Sequence, residues 1–152
     1  MPNIQKVELQ TQTINGLKIR TKNADEMNLE TQKIAPLWEK FFTEVMPKLE
    51  PSPPPLYGVY SQYESDALGA YDLLVGTEGL EGSEFTSVSI KEGSYLVFSV
   101  RGELPKSILE VWGQIWAYFE DPSVDERRAY ETDFERYISK DEAEIYIGVH
   151  YL

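Results

Sequence analysis

Lys106-Ser-Ile-Leu-Glu-Val-Trp-Gly-Gln-Ile-Trp-Ala-Tyr-Phe119 is the stretch that decides the fold. Ile108, Val111, Trp112, Ile115, Trp116 and Phe119 recur at the spacing of a helix that buries one face. Pro105 is suited to opening it, because a first-turn residue needs no backbone N–H. Seventy-four residues earlier the same set stands as Ile34, Leu37, Trp38, Phe41, Phe42 and Val45, tryptophan on tryptophan. The spacing therefore predicts two equivalent helices, over residues 33–49 and 106–119. Pro36 requires the first to begin close to Ile34. The same offset lays Ile145, Ile147 and Val149 onto Tyr71, Leu73 and Val75. This is an internal repeat, not a single amphipathic helix.

Strands account for most of the remainder. Residues 3–10 and 14–22 read as extended and joined by a turn at Asn15-Gly16, a dipeptide that accepts positive φ. Residues 56–63 and 70–78 read as two more, then 85–90 and 95–101 with a turn at Glu92-Gly93. The last twelve residues, Asp141-Glu-Ala-Glu-Ile-Tyr-Ile-Gly-Val-His-Tyr-Leu152, alternate apolar and polar like a strand buried on one face. Residues 23–29 and the run Pro51-Ser-Pro-Pro-Pro55 read as connections, and Glu64-Ser65-Asp66 begins another. Asp121-Pro122 with Arg127-Arg128 suggests a surface loop. Asp133-Phe-Glu-Arg-Tyr137 suits a short helical turn or an irregular strand. The expectation is one α+β domain over 1–152, built of two βαββ repeats, approximately 3–78 and 85–152. Neither repeat can bury its own sheet face, so together they form an antiparallel sheet with both helices on one side and a ligand groove between the halves.

Composition narrows function. Among 152 residues, 26 are acidic and 14 basic, a net charge of -12 that repels phosphate backbones and anionic membranes. Direct nucleic-acid or membrane binding is not expected, while cations are mildly attracted. Without cysteine there is no disulfide, thiol catalysis or thiolate metal site. The start, Met-Pro-Asn-Ile-Gln-Lys, has no apolar leader, and a cytoplasmic protein is expected. The lone histidine, His150, reads as a surface residue, so neither a metal nor another cofactor is expected.

On the polar face of the final strand, Glu144 stands beside Tyr146, and a carboxylate among rings suits a flat, greasy cation. A strand edge in water is the other reading of Glu144. Trp38 and Trp112 fall on the inner helix faces, where core packing is the ordinary role; Trp112 is also placed to line the groove. Tyr57, Tyr118 and Tyr146 are suited to a half-wet pocket wall. Asp133 and Glu135 read as solvated or paired with Arg136.

Several stretches carry a resemblance: Ile34-Ala-Pro-Leu-Trp38 with Phe41; Leu56-Tyr-Gly-Val-Tyr60 followed by Tyr63-Glu-Ser-Asp66; Tyr71 with Val75-Gly76; Leu109-Glu-Val-Trp112 through Trp116; Asp133-Phe-Glu-Arg-Tyr137; and Glu144-Ile-Tyr-Ile147. In order and spacing the chain resembles the GyrI-like effector-binding domains, most closely their integron-cassette-associated branch. The resemblance implies a duplicated βαββ fold that binds amphipathic, often cationic compounds through an acid set among aromatics, with Glu144 at the acid's position. Relatives of this kind sense drugs within transcription activators or stand alone. A regulatory role here would therefore need a DNA-binding partner protein, and the chain itself is expected to be a monomer or weak dimer. Many such domains have proline where this chain has Gly148, which bears on the local shape of the strand. Three functions follow: a binding module for hydrophobic cations, a hydrolase of reactive ring-containing natural products using Glu144 and Tyr118, and a protein-binding adaptor.

Overall fold

The computed structural model describes residues 4–49, 55–65, 69–104 and 106–151. Most of the proline run, Asp66 and Pro105 lie outside the described residues. Ten elements of the sheet-and-helix layers follow in two series of five. The first is β1 (Ile4–Leu9), β2 (Gln12–Thr21), α2 (Ile34–Glu44), β3 (Leu56–Ser61) and β4 (Tyr71–Thr77); the second is β5 (Thr86–Ile90), β6 (Gly93–Arg101), α4 (Lys106–Glu120), β7 (Glu126–Ser139) and β8 (Glu142–Tyr151). Two single turns, α1 (Asn23–Glu26) and α3 (Met46–Leu49), flank α2.

All eight strands form one antiparallel sheet in the order β1-β6-β8-β7-β3-β4-β2-β5. Read outward from its centre, β7 answers β3, β8 answers β4, and β6 answers β2. Each βαββ unit is preceded by one further strand, and that strand crosses over. β1 pairs with β6 of the second series, Ile4 opposite Phe98, while β5 pairs with β2 of the first, Thr86 opposite Gly16.

The two helices pack on one face. Leu37, Phe41 and Val45 meet Leu73 and Val75, while Ile108, Val111 and Ile115 meet Phe98, Ile145 and Ile147. These are the periodic apolar positions of the repeat, and burying each such side chain fully contributes roughly 1.5–3 kcal/mol. A second core lies on the face away from the helices, where Val7, Leu9, Val88 and Ile90 of the edge strands close over Tyr57, Tyr95 and Phe134.

Three local expectations change. Asn15-Gly16 makes no hairpin but lies inside β2, opposite Thr77-Gly76. A Cβ on Gly16 would stand 2.0 Å from the Val75 carbonyl oxygen, so glycine serves close strand approach there, not a turn. The first helix stops at Glu44 and resumes for one turn at Met46, because Pro47 has no N–H to continue it. Its start is capped from a distance: Glu26 accepts from the Lys33 and Ile34 amides at 2.9 and 3.0 Å. Arg127 and Arg128 lie in β7 rather than a surface loop, and residues 133–137 continue that strand beyond a bulge.

Candidate functional site

One lateral row of residues crosses the helix face: Phe98, Ile145, Glu135, Gly58, Val75 and Leu17, each opposite the next on six successive strands. Five of the six are apolar or glycine. The sixth is a carboxylate at the middle of the sheet, between the two helices. Strand alternation puts it there, because Asp133, Glu135 and Tyr137 share the helix face while Phe134 and Arg136 share the other.

Glu135 is buried, which corrects the expectation of a solvated or Arg136-paired acid. Trp112 Nε1 donates to its Oε2 at 2.7 Å, the Tyr60 hydroxyl to the same oxygen at 3.0 Å, and the Tyr137 hydroxyl to Oε1 at 2.7 Å. Every donor is neutral, and among the described residues no cation pairs with it. Burial pushes its carboxyl above the ordinary carboxylate value, against the three hydrogen bonds that favour the ion. Burial, then the charge of Glu135, holds the Tyr60 and Tyr137 hydroxyls far above theirs, so both remain donors.

The aromatic setting follows the pseudo-twofold of the sheet. Trp38 packs edge-on against Tyr137 at 5.1 Å, and Trp112 against Tyr60 at 5.6 Å. One turn on, Phe42 stacks on Trp38 and Trp116 leans on Trp112; these outer rings are 50% and 44% exposed. Gly58 leaves the room the acid needs: a Cβ there would lie 3.0 Å from Glu135 Oε1 and 3.5 Å from the Trp38 ring. The carboxylate is thus roofed by aromatic side chains. Two open grooves, of about 640 and 440 Å³, are lined by other residues.

A second buried acid lies two residues away. Asp133, 0% exposed, accepts from Arg128 at 2.7 Å, from the Gly148 amide at 2.9 Å and from the Tyr63 hydroxyl. Unlike Glu135 it has its own cation, 7% exposed, so this acid too is not solvated, and Arg128 is committed to it. A proline in place of Gly148 could not make that amide bond.

Of the residues singled out from sequence, Trp112 is the one bonded to this site. Glu144 and Tyr146 do meet, hydroxyl to carboxylate at 2.9 Å, but on the opposite face, where Glu144 also pairs with Arg136 at 3.5 Å. Tyr146 stacks on Phe134 at 4.3 Å, and Tyr57 packs on the same ring. Burial, then the bond to Glu144, pushes the Tyr146 hydroxyl up to about 12. Tyr118 lies on α4 against Phe98 and donates to Glu126 at 2.7 Å. Glu144 and Tyr118 are therefore not brought together. One signal for Glu135 was present in the chain: an offset of 77, not 74, lays Tyr60 on Tyr137 and Gly58 on Glu135.

Residues 7–149 match the family model described as integron-associated effector binding protein. The chain belongs to that family. An integron cassette protein from the mobile metagenome of Vibrio cholerae is 39% identical, with 97% of this chain and 95% of that one covered and a TM-score of 0.89. The structure of SAV2435 bound to tetraphenylphosphonium shares the fold at 20% identity, covering 97% of this chain and 94% of that one, TM-score 0.76. The EcmrR–DNA complex shares it more distantly, at 13% identity and TM-score 0.59, covering 99% of this chain and 58% of that one. No curated protein sequence matches the chain. In this chain the Glu135 cluster brings an acid, two hydroxyls, an indole N–H and four rings to one point. No described helix is long and apolar enough to cross a membrane.

Proposed function

We propose that this effector-binding protein takes up amphipathic aromatic cations at Glu135, acting as a sensor or a sequestering protein. The observation that carries the reading is a buried carboxylate with three neutral donors and, among the described residues, no cation of its own. An isolated buried charge is costly, and a cation arriving there offsets that cost while the rings supply cation–π attraction. The tetraphenylphosphonium complex of SAV2435, a protein of the same fold, supports the ligand class. The half-exposed Phe42 and Trp116 rings lie against Trp38 and Trp112 and extend the aromatic surface from the acid toward solvent. A DNA-binding partner protein would read the event in a regulatory role.

Tetraphenylphosphonium titrated against Trp fluorescence is the test, with neutral triphenylphosphine oxide as comparator. Glu135→Gln keeps the shape and removes the charge, so cation affinity should fall about 30- to 1000-fold, equivalent to roughly 2–4 kcal/mol. Affinity for the neutral compound should hold. Glu144→Gln, on the other face, should leave both unchanged. A cation loss confined to Glu144→Gln would sink the assignment to Glu135.

A further inference from the structure

A different part of the molecule offers a binding edge. β5 pairs with β2 only over Gln12–Gly16 and Thr86–Ile90. Before Thr86 the chain peels away, Phe85 folding back onto Gly82 and packing with the helix-face core. On that side of β2, residues 17–21 have no strand partner among the described residues. The wedge left open is the groove of about 440 Å³, with Leu17, Ile19, Pro36 and Leu37 among its walls. Lys18, Lys33 and Lys40 also line it; the one carboxylate among its walls, Glu84, is paired with Lys48, and Lys18 is paired with Asp72 at 3.5 Å. Arg20, which shares Asp72 with Lys18, and Lys22 continue the edge beyond it. In a chain of charge -12, basic side chains outnumber acidic ones along this edge. The segment leading from this edge to α2 carries Met27 and Leu29, 83% and 85% exposed.

The geometry points to β-strand addition here: an extended acidic segment of a partner protein lies along Leu17–Thr21 as a ninth strand. Main-chain hydrogen bonds supply the affinity and the side-chain pockets the selectivity in this mode. Lys33 Nζ now holds the Arg20 carbonyl at 2.9 Å. On docking it would pass to an incoming carboxylate and free that carbonyl for the new strand. Lysines along an open edge also repel self-pairing, so the surface rejects a second copy of itself while accepting an acidic strand.

The probe is fluorescein-labelled acetyl-Asp-Val-Glu-Val-Asp-Val-Glu-amide, read by anisotropy against the full chain. Saturable binding is expected, weakened about fivefold or more by Lys18→Gln with Lys40→Gln, as two partly exposed charges predict. N-methylation of alternate peptide nitrogens, which keeps charge but removes donors, should weaken it as much, and amide exchange should slow at residues 17–21. Glu135→Gln, which should lose tetraphenylphosphonium, should leave binding of this peptide as it is, which separates the edge from the effector site. Absence of saturation up to about 1 mM, a threshold equivalent to roughly 4 kcal/mol, overturns the inference. So does equal binding of the N-methylated peptide. Protection at residues 17–21 that grows with protein concentration alone makes the occupant a second copy, and the acidic partner falls.

Discussion

Glu135 has two pH dependences of opposite sign. Unfolded, it titrates at the ordinary carboxylate value; folded, burial raises that value. Between the two, the folded chain keeps a proton the unfolded chain has released, so unliganded stability falls as pH rises through the window and stays reduced above it. Urea denaturation from about pH 4 to pH 8 should therefore show Glu135→Gln gaining on the parent protein as pH rises, then levelling off. Affinity for tetraphenylphosphonium should instead rise with pH through the folded value, because only the ion attracts the cation. Gly58→Ala tests the space: a methyl 3.0 Å from Oε1 should cost about 1–3 kcal/mol of stability and displace the carboxylate from its donors. At this scale Trp112 was legible from helical spacing, and Glu135 was not. Beside Arg136 in sequence the acid looks locally paired, yet strand alternation sends the two side chains to opposite faces. Its partners, Tyr60 and Trp112, are fixed by sheet register and helix packing, which local pattern does not encode.

Among the elements, β7 carries the most non-local information. Its bulge between Arg128 and Asp133 includes Tyr130 at φ 53°, with the Arg128 guanidinium over the Tyr130 ring at 4.5 Å. Arg128→Ala would leave Asp133 buried with its cation gone, a loss of about 3–5 kcal/mol. Replacing both with apolar residues, Arg128→Met with Asp133→Leu, should cost far less than the two single changes combined; a thermal-denaturation double-mutant cycle measures that coupling. Gly148→Ala belongs to the same joint, since its Cβ would lie 2.7 Å from the Thr132 carbonyl oxygen. Marked destabilisation should follow, with the unfolding midpoint in urea as the readout. Both long helices and most strands were legible because apolar periodicity is local. The Arg127-Arg128 strand was not, for a pair of arginines beside Asp121-Pro122 has the composition of a loop until Asp133 neutralises one of them. Asn15-Gly16 misled for a related reason: the glycine answers Gly76 across the sheet, not its own neighbours.

At the scale of the whole molecule, the crossed edge strands tie each series to the other. Weakening β1 should therefore not loosen one half alone. Val7→Thr with Leu9→Ala, at positions packed on the cluster around Tyr95 and Phe134, should lower stability by roughly 2–5 kcal/mol. Native-state hydrogen exchange should show β3 and β4 losing as much protection as β6 and β8. Unequal losses would mean that the halves unfold separately. The repeat of the helices made the duplication legible, but not the crossing, because a strand's own sequence does not name its neighbour. That crossing sets a schedule for biosynthesis. β1 leaves the ribosome before β6, so Ile4 meets Phe98 only after the whole stretch between them has been made. For that interval its pairing edge is uncovered, guarded by Lys6 and Glu8, so the charges of that short strand protect the nascent chain as well as the finished one.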